Sequence, residues 1–167
     1  MIAQPARIIR VFPLAITALA LASACSSSPV SKHGPVAASS TMAARGDLGA
    51  KAAAIAADQV GVPYRYGGSN PSGFDCSGLV QYSYSRAGKQ VPRTTGQLWK
   101  SMQAVGRHEL RTGDLLFFRV DGKMSHVGLY LGEQRFVHAP SSGRTVSVAS
   151  LDWPYYRAAF TGAGRPR

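Results

Sequence analysis

The chain has 167 residues, 45% of them hydrophobic, which is enough apolar material for one ordinary domain plus a short extra segment. Its 19 Lys and Arg residues against 8 Asp and Glu residues give a formal net charge of +11. Such a field attracts polyanions, but the basic residues are scattered and do not alternate with aromatic ones, so we do not expect a nucleic-acid-binding protein.

Residues 1–25 have the pattern of an export signal. Arg7 and Arg10 precede an apolar run over residues 11–24, which is too short to span a bilayer, and small residues lead into Cys25. The segment resembles a bacterial lipoprotein signal, in which Cys25 becomes the new N-terminus and carries lipid; ordinary signal-peptidase cleavage nearby is the alternative. Ser26 at the next position suits delivery to an outer membrane, if the organism has one. We therefore expect an exported, lipid-anchored protein.

A flexible segment and a helix are predicted next. Residues 26–47 are rich in Ser, Ala and Pro and lack apolar periodicity, which predicts a tether between the membrane and a domain at residues 48–165. Residues 48–60 favour a helix that stops at Gly61 and Pro63. An extended piece at residues 64–66 and a turn-rich run at residues 67–73 follow.

Cys76 stands where this turn becomes a second helix. Asp75 is a natural N-cap, an apolar pattern begins at Leu79, and the helix should close near Gly88. In the first turn, the helix dipole should lower the thiol pKa and favour the nucleophilic thiolate. A buried structural cysteine is the alternative. If Cys25 is lipidated, however, Cys76 has no intramolecular disulfide partner, and an unpaired cysteine in an exported protein suggests a reactive thiol.

The second half of the chain predicts strands. After a short helix around residues 97–103, strand patterns occupy residues 115–120, 125–131, 135–139, 145–148 and 158–161. Helices followed by strands predict an α+β domain in which N-terminal helices pack on a central antiparallel sheet.

His126 and His138 lie on two of these strands, joined by a turn at residues 132–134. With a three-residue loop, Leu131 would face Arg135, and His138 would lie opposite Gly128 and diagonal to His126 on the same sheet face. A two-residue loop would put the two rings on opposite faces. Together with Cys76, the histidines suggest either a nucleophile with its base or three zinc ligands. Close ligand spacing is lacking, so we expect no metal and no cofactor.

Five segments then resemble the NlpC-type cell-wall endopeptidases, papain-like cysteine peptidases that act on bacterial peptidoglycan. The likeness runs from about Ile55 to Arg165 and is carried by residues 63–68, 74–80, 113–118, 125–132 and 136–139. It implies a papain-like NlpC-type fold and hydrolysis of a stem-peptide amide through a Cys thioester. The bond usually cut in this family joins D-isoglutamate to meso-diaminopimelate or to Lys.

The resemblance also implies roles for individual residues. Cys76 would be the nucleophile, His126 the general base, and His138 the residue that orients the His126 ring. Tyr64 would donate its hydroxyl to the oxyanion hole. Asp75 and Ser77 would bind substrate, and because a carboxylate beside Cys76 would raise the thiol pKa, we expect Asp75 to point away into the peptide site.

Other functions remain alternatives. A non-catalytic wall-binding lipoprotein would need a degenerate site, whereas these residues are intact. An acyltransferase of the lecithin–retinol type would place histidine before cysteine, the reverse of the order found. The expected partners are peptidoglycan stem peptides, a membrane contacted through the lipid, and a protein that restrains the enzyme; we expect a monomer and no nucleic acid.

Overall fold

The computed structural model describes residues 48–120 and 122–167. The predicted signal, Cys25 and the tether lie outside these residues. None of the helices within the described ranges has the length and apolar character needed to cross a membrane.

Helices and strands come in the predicted order, with additions. The helices are α1 (48–57), α2 (Cys76–Ala87), α3 (Thr95–Ser101) and α4 (Pro154–Ala159), with a 3-10 turn at Arg107–Glu109. The strands are β1 (Ser69–Asn70), β2 (Gly73–Phe74), β3 (Gln103–Val105), β4 (Leu115–Val120), β5 (Lys123–Gly132), β6 (Arg135–His138), β7 (Ser147–Ser150) and β8 (Phe160–Arg165). The predicted bounds of β4 are confirmed, and the predicted α+β class is confirmed.

A six-stranded antiparallel sheet forms the centre of the domain, in the order β3-β8-β4-β5-β6-β7. Successive side chains of its middle strands point to opposite faces of the sheet, and each face packs in its own apolar layer. Phe117 and Val127 pack with Leu79 of α2 on one face. Phe118 and Tyr156 belong to the cluster on the other face. Both faces of the sheet are therefore covered, and β5 and β6 lie between the two layers.

The start of α2 is built by capping and by close packing. The Asp75 carboxylate accepts a hydrogen bond from the Gly78 N–H at 2.7 Å, as predicted for an N-cap. A Cβ at position 78 would collide with the carbonyl oxygen of Gly68, so only glycine lets the preceding turn lie against the helix. At the other end, Gly88 has φ 108°, the left-handed conformation that ends many helices.

The loop of the hairpin between β5 and β6 is one residue shorter than the predicted three. Its turn has two residues, Glu133 and Gln134, both with positive φ (51° and 58°), and Gly132 pairs with Arg135. Leu131 is an extra residue, a bulge that shifts the register so that Tyr130 pairs with Phe136. The bulge restores the register that a three-residue loop would have produced. The two histidines therefore share a sheet face, as predicted.

Two predicted strands near the C-terminus are misplaced. Residues 145–146 pair with the loop after α1, where Val146 N–H donates to the Val62 carbonyl, and the strand proper starts only at Ser147. Instead of a strand from Ala158, Pro154 occupies the first turn of α4, and β8 begins at Phe160. The exposed edge strand β3 was not predicted, since it lacks an alternating apolar pattern.

Candidate active site

Cys76, His126, His138 and Tyr64 all line one cavity of about 600 Å³. Cys76 comes from the first residue of α2, His126 from β5 and His138 from the end of β6. The structure thus brings together four residues that are separated by up to 74 positions in the chain. The cavity lies where the N-terminus of α2 meets the sheet.

The Cys76 thiol is half-buried among polar atoms. Its Sγ lies 3.7 Å from the Thr95 hydroxyl oxygen and 3.7 Å from the carbonyl oxygen of Ser125. Burial raises the thiol pKa above its usual value of 9.0, Asp75 adds to the rise, and hydrogen bonds from Thr95 and the backbone only partly oppose it. The predicted lowering of this pKa by the helix dipole is therefore corrected, because desolvation of the thiolate outweighs it.

The two histidines form a direct pair. His126 Nε2 and His138 Nδ1 are 2.7 Å apart, with the rings steeply inclined at 77°. The residues are 7% and 2% exposed. Burial lowers the pKa of His126 to about 4. Burial, with smaller contributions from His126 and Arg144, lowers the pKa of His138 to about 3. Both rings are therefore neutral at neutral pH.

Tyr156 extends this chain of hydrogen-bonding groups and was missed by the sequence reasoning. Its hydroxyl oxygen lies 3.3 Å from His138 Nε2. Its ring also packs edge-on against His138 and Phe136, with centroids 5.4 Å and 5.0 Å apart. Because α4 carries Tyr156, the signal that could have revealed it was Pro154, a residue type enriched in the first turn of helices.

Asp75 and Ser77 do not line the cavity. The Asp75 carboxylate accepts two hydrogen bonds from the Arg93 guanidinium, at 2.9 and 2.6 Å, and one from the Gly67 N–H at 3.0 Å. The same guanidinium donates to the Ser77 hydroxyl at 3.0 Å. The Asp75 oxygens, which were expected to point into a peptide site, are thus hydrogen-bonded to groups of the protein itself. Substrate binding by these two residues stays a prediction.

Tyr64 is held at the cavity edge by its backbone. Its N–H donates to the Arg144 carbonyl at 2.8 Å, and the residue forms an isolated parallel bridge with Phe74. Burial, followed by the charges of Cys76 and Asp75, raises the pKa of the Tyr64 hydroxyl above 10.0. The phenol therefore keeps its proton and can donate a hydrogen bond into the cavity.

The zinc alternative finds no support in the described part of the chain. Within residues 48–120 and 122–167, no group of three or more His, Cys, Asp and Glu residues could hold a metal ion. In addition, Nε2 of His126 and Nδ1 of His138 are hydrogen-bonded to each other, so these two nitrogens do not point toward a shared metal position.

A cysteine at a helix N-terminus, beside paired imidazoles on an antiparallel sheet, is the arrangement of a papain-like cysteine peptidase. Residues 61–165 match the model of the NlpC/P60 family, and the chain belongs to that family of cysteine peptidases, whose members include peptidoglycan hydrolases.

Three similar proteins illustrate this membership. Murein DD-endopeptidase MepH of Escherichia coli K12 is 42% identical over 113 residues, which cover 64% of this chain and 42% of MepH. Gamma-DL-glutamyl hydrolase of Bacillus subtilis 168 is 41% identical over 110 residues, covering 64% of this chain and 26% of that protein. The crystal structure of an NLP/P60-family protein similar to lipoproteins, from Staphylococcus aureus Mu50, superposes with a TM-score of 0.64 at 33% identity, covering 71% of this chain and 41% of that one. The chain thus spans less than half the length of these relatives.

Proposed function

We propose that this protein is a peptidoglycan endopeptidase that hydrolyses a stem-peptide amide bond through a thioester on Cys76. The observation that carries the proposal is the convergence of Cys76 with the His126–His138 pair in one open cavity. A merely structural cysteine would have no need of two neutral, buried imidazoles beside the same cavity.

Because Nε2 of His126 is engaged by His138, we assign the role of base to the other ring nitrogen of His126, Nδ1. If Nε2–H of His126 donates to Nδ1 of His138, then Nδ1 of His126 has a free lone pair that can accept the thiol proton. His138 must then carry its own proton on Nε2, and this N–H can donate a hydrogen bond to the Tyr156 hydroxyl oxygen. His138 would hold the tautomer and orientation of His126, and Tyr156 would do the same for His138.

The directions of the pKa shifts favour an uncharged thiol on Cys76 and an uncharged imidazole on His126 before substrate binds. The raised thiol pKa and the lowered imidazole pKa keep the proton on sulfur until substrate arrives. The proton then moves to His126 as Sγ attacks the carbonyl carbon. The resulting imidazolium protonates the departing amine as the C–N bond breaks, and water, deprotonated by the same histidine, hydrolyses the thioester.

Negative charge on the carbonyl oxygen would be stabilised at the start of α2. The Cys76 N–H and the Tyr64 hydroxyl are the two donors we assign to this oxyanion, since Tyr64 lines the cavity with its proton retained. Removing one oxyanion donor typically costs about 10²–10³ in turnover.

For the bond itself we propose the D-isoglutamyl–meso-diaminopimelate linkage. The relative named a gamma-DL-glutamyl hydrolase supports a γ-glutamyl bond. The relative named a DD-endopeptidase, at 42% identity, favours a second candidate, the cross-link between two stem peptides. Export, lipidation at Cys25, monomeric state and a restraining protein partner remain part of the proposal and depend on the leader and family pattern alone.

Purified muropeptides distinguish these possibilities. A disaccharide-tripeptide monomer contains the D-isoglutamyl bond but no cross-link, whereas a cross-linked dimer contains both. Wild type and Cys76→Ala would be incubated with each, and the products would be weighed by mass spectrometry. We expect cleavage of the monomer by wild type alone. Cleavage of only the dimer would select the cross-link, and an inert wild type would favour the wall-binding alternative.

A further inference from the structure

The wall of the cavity beyond the catalytic residues is aromatic and cationic. Among the lining residues that belong to the described parts of the chain, Arg144 is the one permanently charged side chain, and none of these carries a carboxylate. Trp153 and Tyr155 line the same cavity although they are 54% and 60% exposed. Large aromatic rings left open to solvent inside a cavity suit contact with a ligand better than they suit packing.

Backbone hydrogen bonds fix the position of Arg144 at this wall of the cavity. It closes a tight turn in which its N–H donates to the Ser141 carbonyl at 3.2 Å and Gly143 adopts φ 78°. Its own carbonyl accepts the Tyr64 N–H at 2.8 Å. Arg144 is thereby hydrogen-bonded through its backbone to the residue that we assign to the oxyanion hole.

No ion pair within residues 48–120 and 122–167 engages the Arg144 guanidinium. The ion pairs among the described residues join Arg93 to Asp75, Arg135 to Glu133 and Arg165 to Asp114, and none of them uses Arg144. Its charge nevertheless reaches the catalytic end of the cavity, where it contributes to the lowered pKa of His138 after burial and His126.

We propose that Arg144, which lines the same cavity as Trp153 and Tyr155, binds a free carboxylate that lies next to the scissile amide of the substrate. A γ-glutamyl amide carries such a group, because the α-carboxylate of the same residue stays free when the γ-carboxyl forms the bond. The planar guanidinium can hold a carboxylate with two parallel hydrogen bonds. The inference rests on the proposed function and makes the cavity selective for anionic peptides.

A matched pair of substrates tests this subsite. One is a γ-D-glutamyl peptide with a free α-carboxylate, and the other is the same peptide with an α-carboxamide. For wild type we expect kcat/KM to be higher for the acid by roughly 10- to 100-fold, the range for a hydrogen bond to a charged group. Arg144→Gln should lose that preference by slowing on the acid alone, and Arg144→Lys should keep part of it.

Arg135→Gln is the control, because it removes the same charge from an exposed arginine outside the cavity. It should keep the preference of wild type. Equal rates of wild type on both peptides, or an unchanged preference in Arg144→Gln, would overturn the subsite and leave the proposed function standing.

A binding measurement separates the two failures. Calorimetric titration of Cys76→Ala with each peptide should show tighter binding of the acid, and adding Arg144→Gln should abolish the difference. If wild type cleaves neither peptide, the proposed function on γ-glutamyl bonds fails, but a preference for the acid in this titration still supports the carboxylate site. Equal affinities for acid and carboxamide would overturn it.

Discussion

The buried histidine pair makes the stability of the fold depend on pH in a calculable way. The pKa of His126 is lowered from 6.5 to about 4, and that of His138 from 6.5 to about 3, mainly by burial. Below pH 6.5 these two histidines are protonated in the unfolded chain but stay neutral in the folded chain, so the free energy of unfolding falls as the pH falls. The loss continues until the pH reaches the folded values.

The size of the effect follows from the shifts. One pKa unit corresponds to about 1.36 kcal/mol, so lowering the pH from above 6.5 to 5 should cost about 2 kcal/mol for each histidine. The two together should remove about 4 kcal/mol, a large part of the 5–15 kcal/mol that typically stabilises a domain of this kind. Replacing one of them should remove about half of the pH dependence.

Urea unfolding, followed by tryptophan fluorescence at pH 7.5, 6 and 5, measures this directly. The Cys76→Ala background avoids oxidation of the thiol. His138→Asn should lower stability at pH 7.5 but flatten the decline toward pH 5, whereas the exposed His108→Gln should leave the decline unchanged. A decline that is equally steep with and without His138 would refute the reasoning, as would a free energy of unfolding that stays constant between pH 7.5 and 5.

Three further predictions concern single side chains. Tyr156→Phe should lower kcat about five-fold, the value of one ordinary hydrogen bond, and alter the pH profile without changing KM, because it frees the His138 Nε2 proton; an unchanged kcat and pH profile would contradict this. Tyr64→Phe should lower kcat by about 10²-fold with an unchanged circular dichroism spectrum, and full activity would remove it from the oxyanion hole. Gly78→Ala should destabilise the fold in thermal unfolding by about 1–3 kcal/mol or more, because its Cβ would meet the Gly68 carbonyl. As a control, Gly96→Ala in α3 places its Cβ in open space and should be neutral or stabilising. Equal melting temperatures for these two variants would contradict the packing argument.

Local sequence was enough to predict the element that carries the nucleophile. A capping Asp75, the apolar pattern from Leu79 and a terminal Gly88 are short-range signals, and α2 begins and ends where they indicate. The same holds for the alternating strand β4 and for the order of elements that defines the α+β class. The family motifs, which are also local runs of residues, indicated which side chains would share a cavity.

The remaining features depend on contacts between distant parts of the chain. The engagement of Asp75 by Arg93 joins positions 18 apart, and the Thr95 hydroxyl beside the Cys76 sulfur joins positions 19 apart. The bulge at Leu131 and the Tyr156 contact to His138 likewise arise only when the sheet and α4 pack together. The direction of the Cys76 pKa shift was predicted wrongly because a helix dipole can be inferred from neighbouring residues, whereas desolvation is set by everything that surrounds the thiol once the chain has folded.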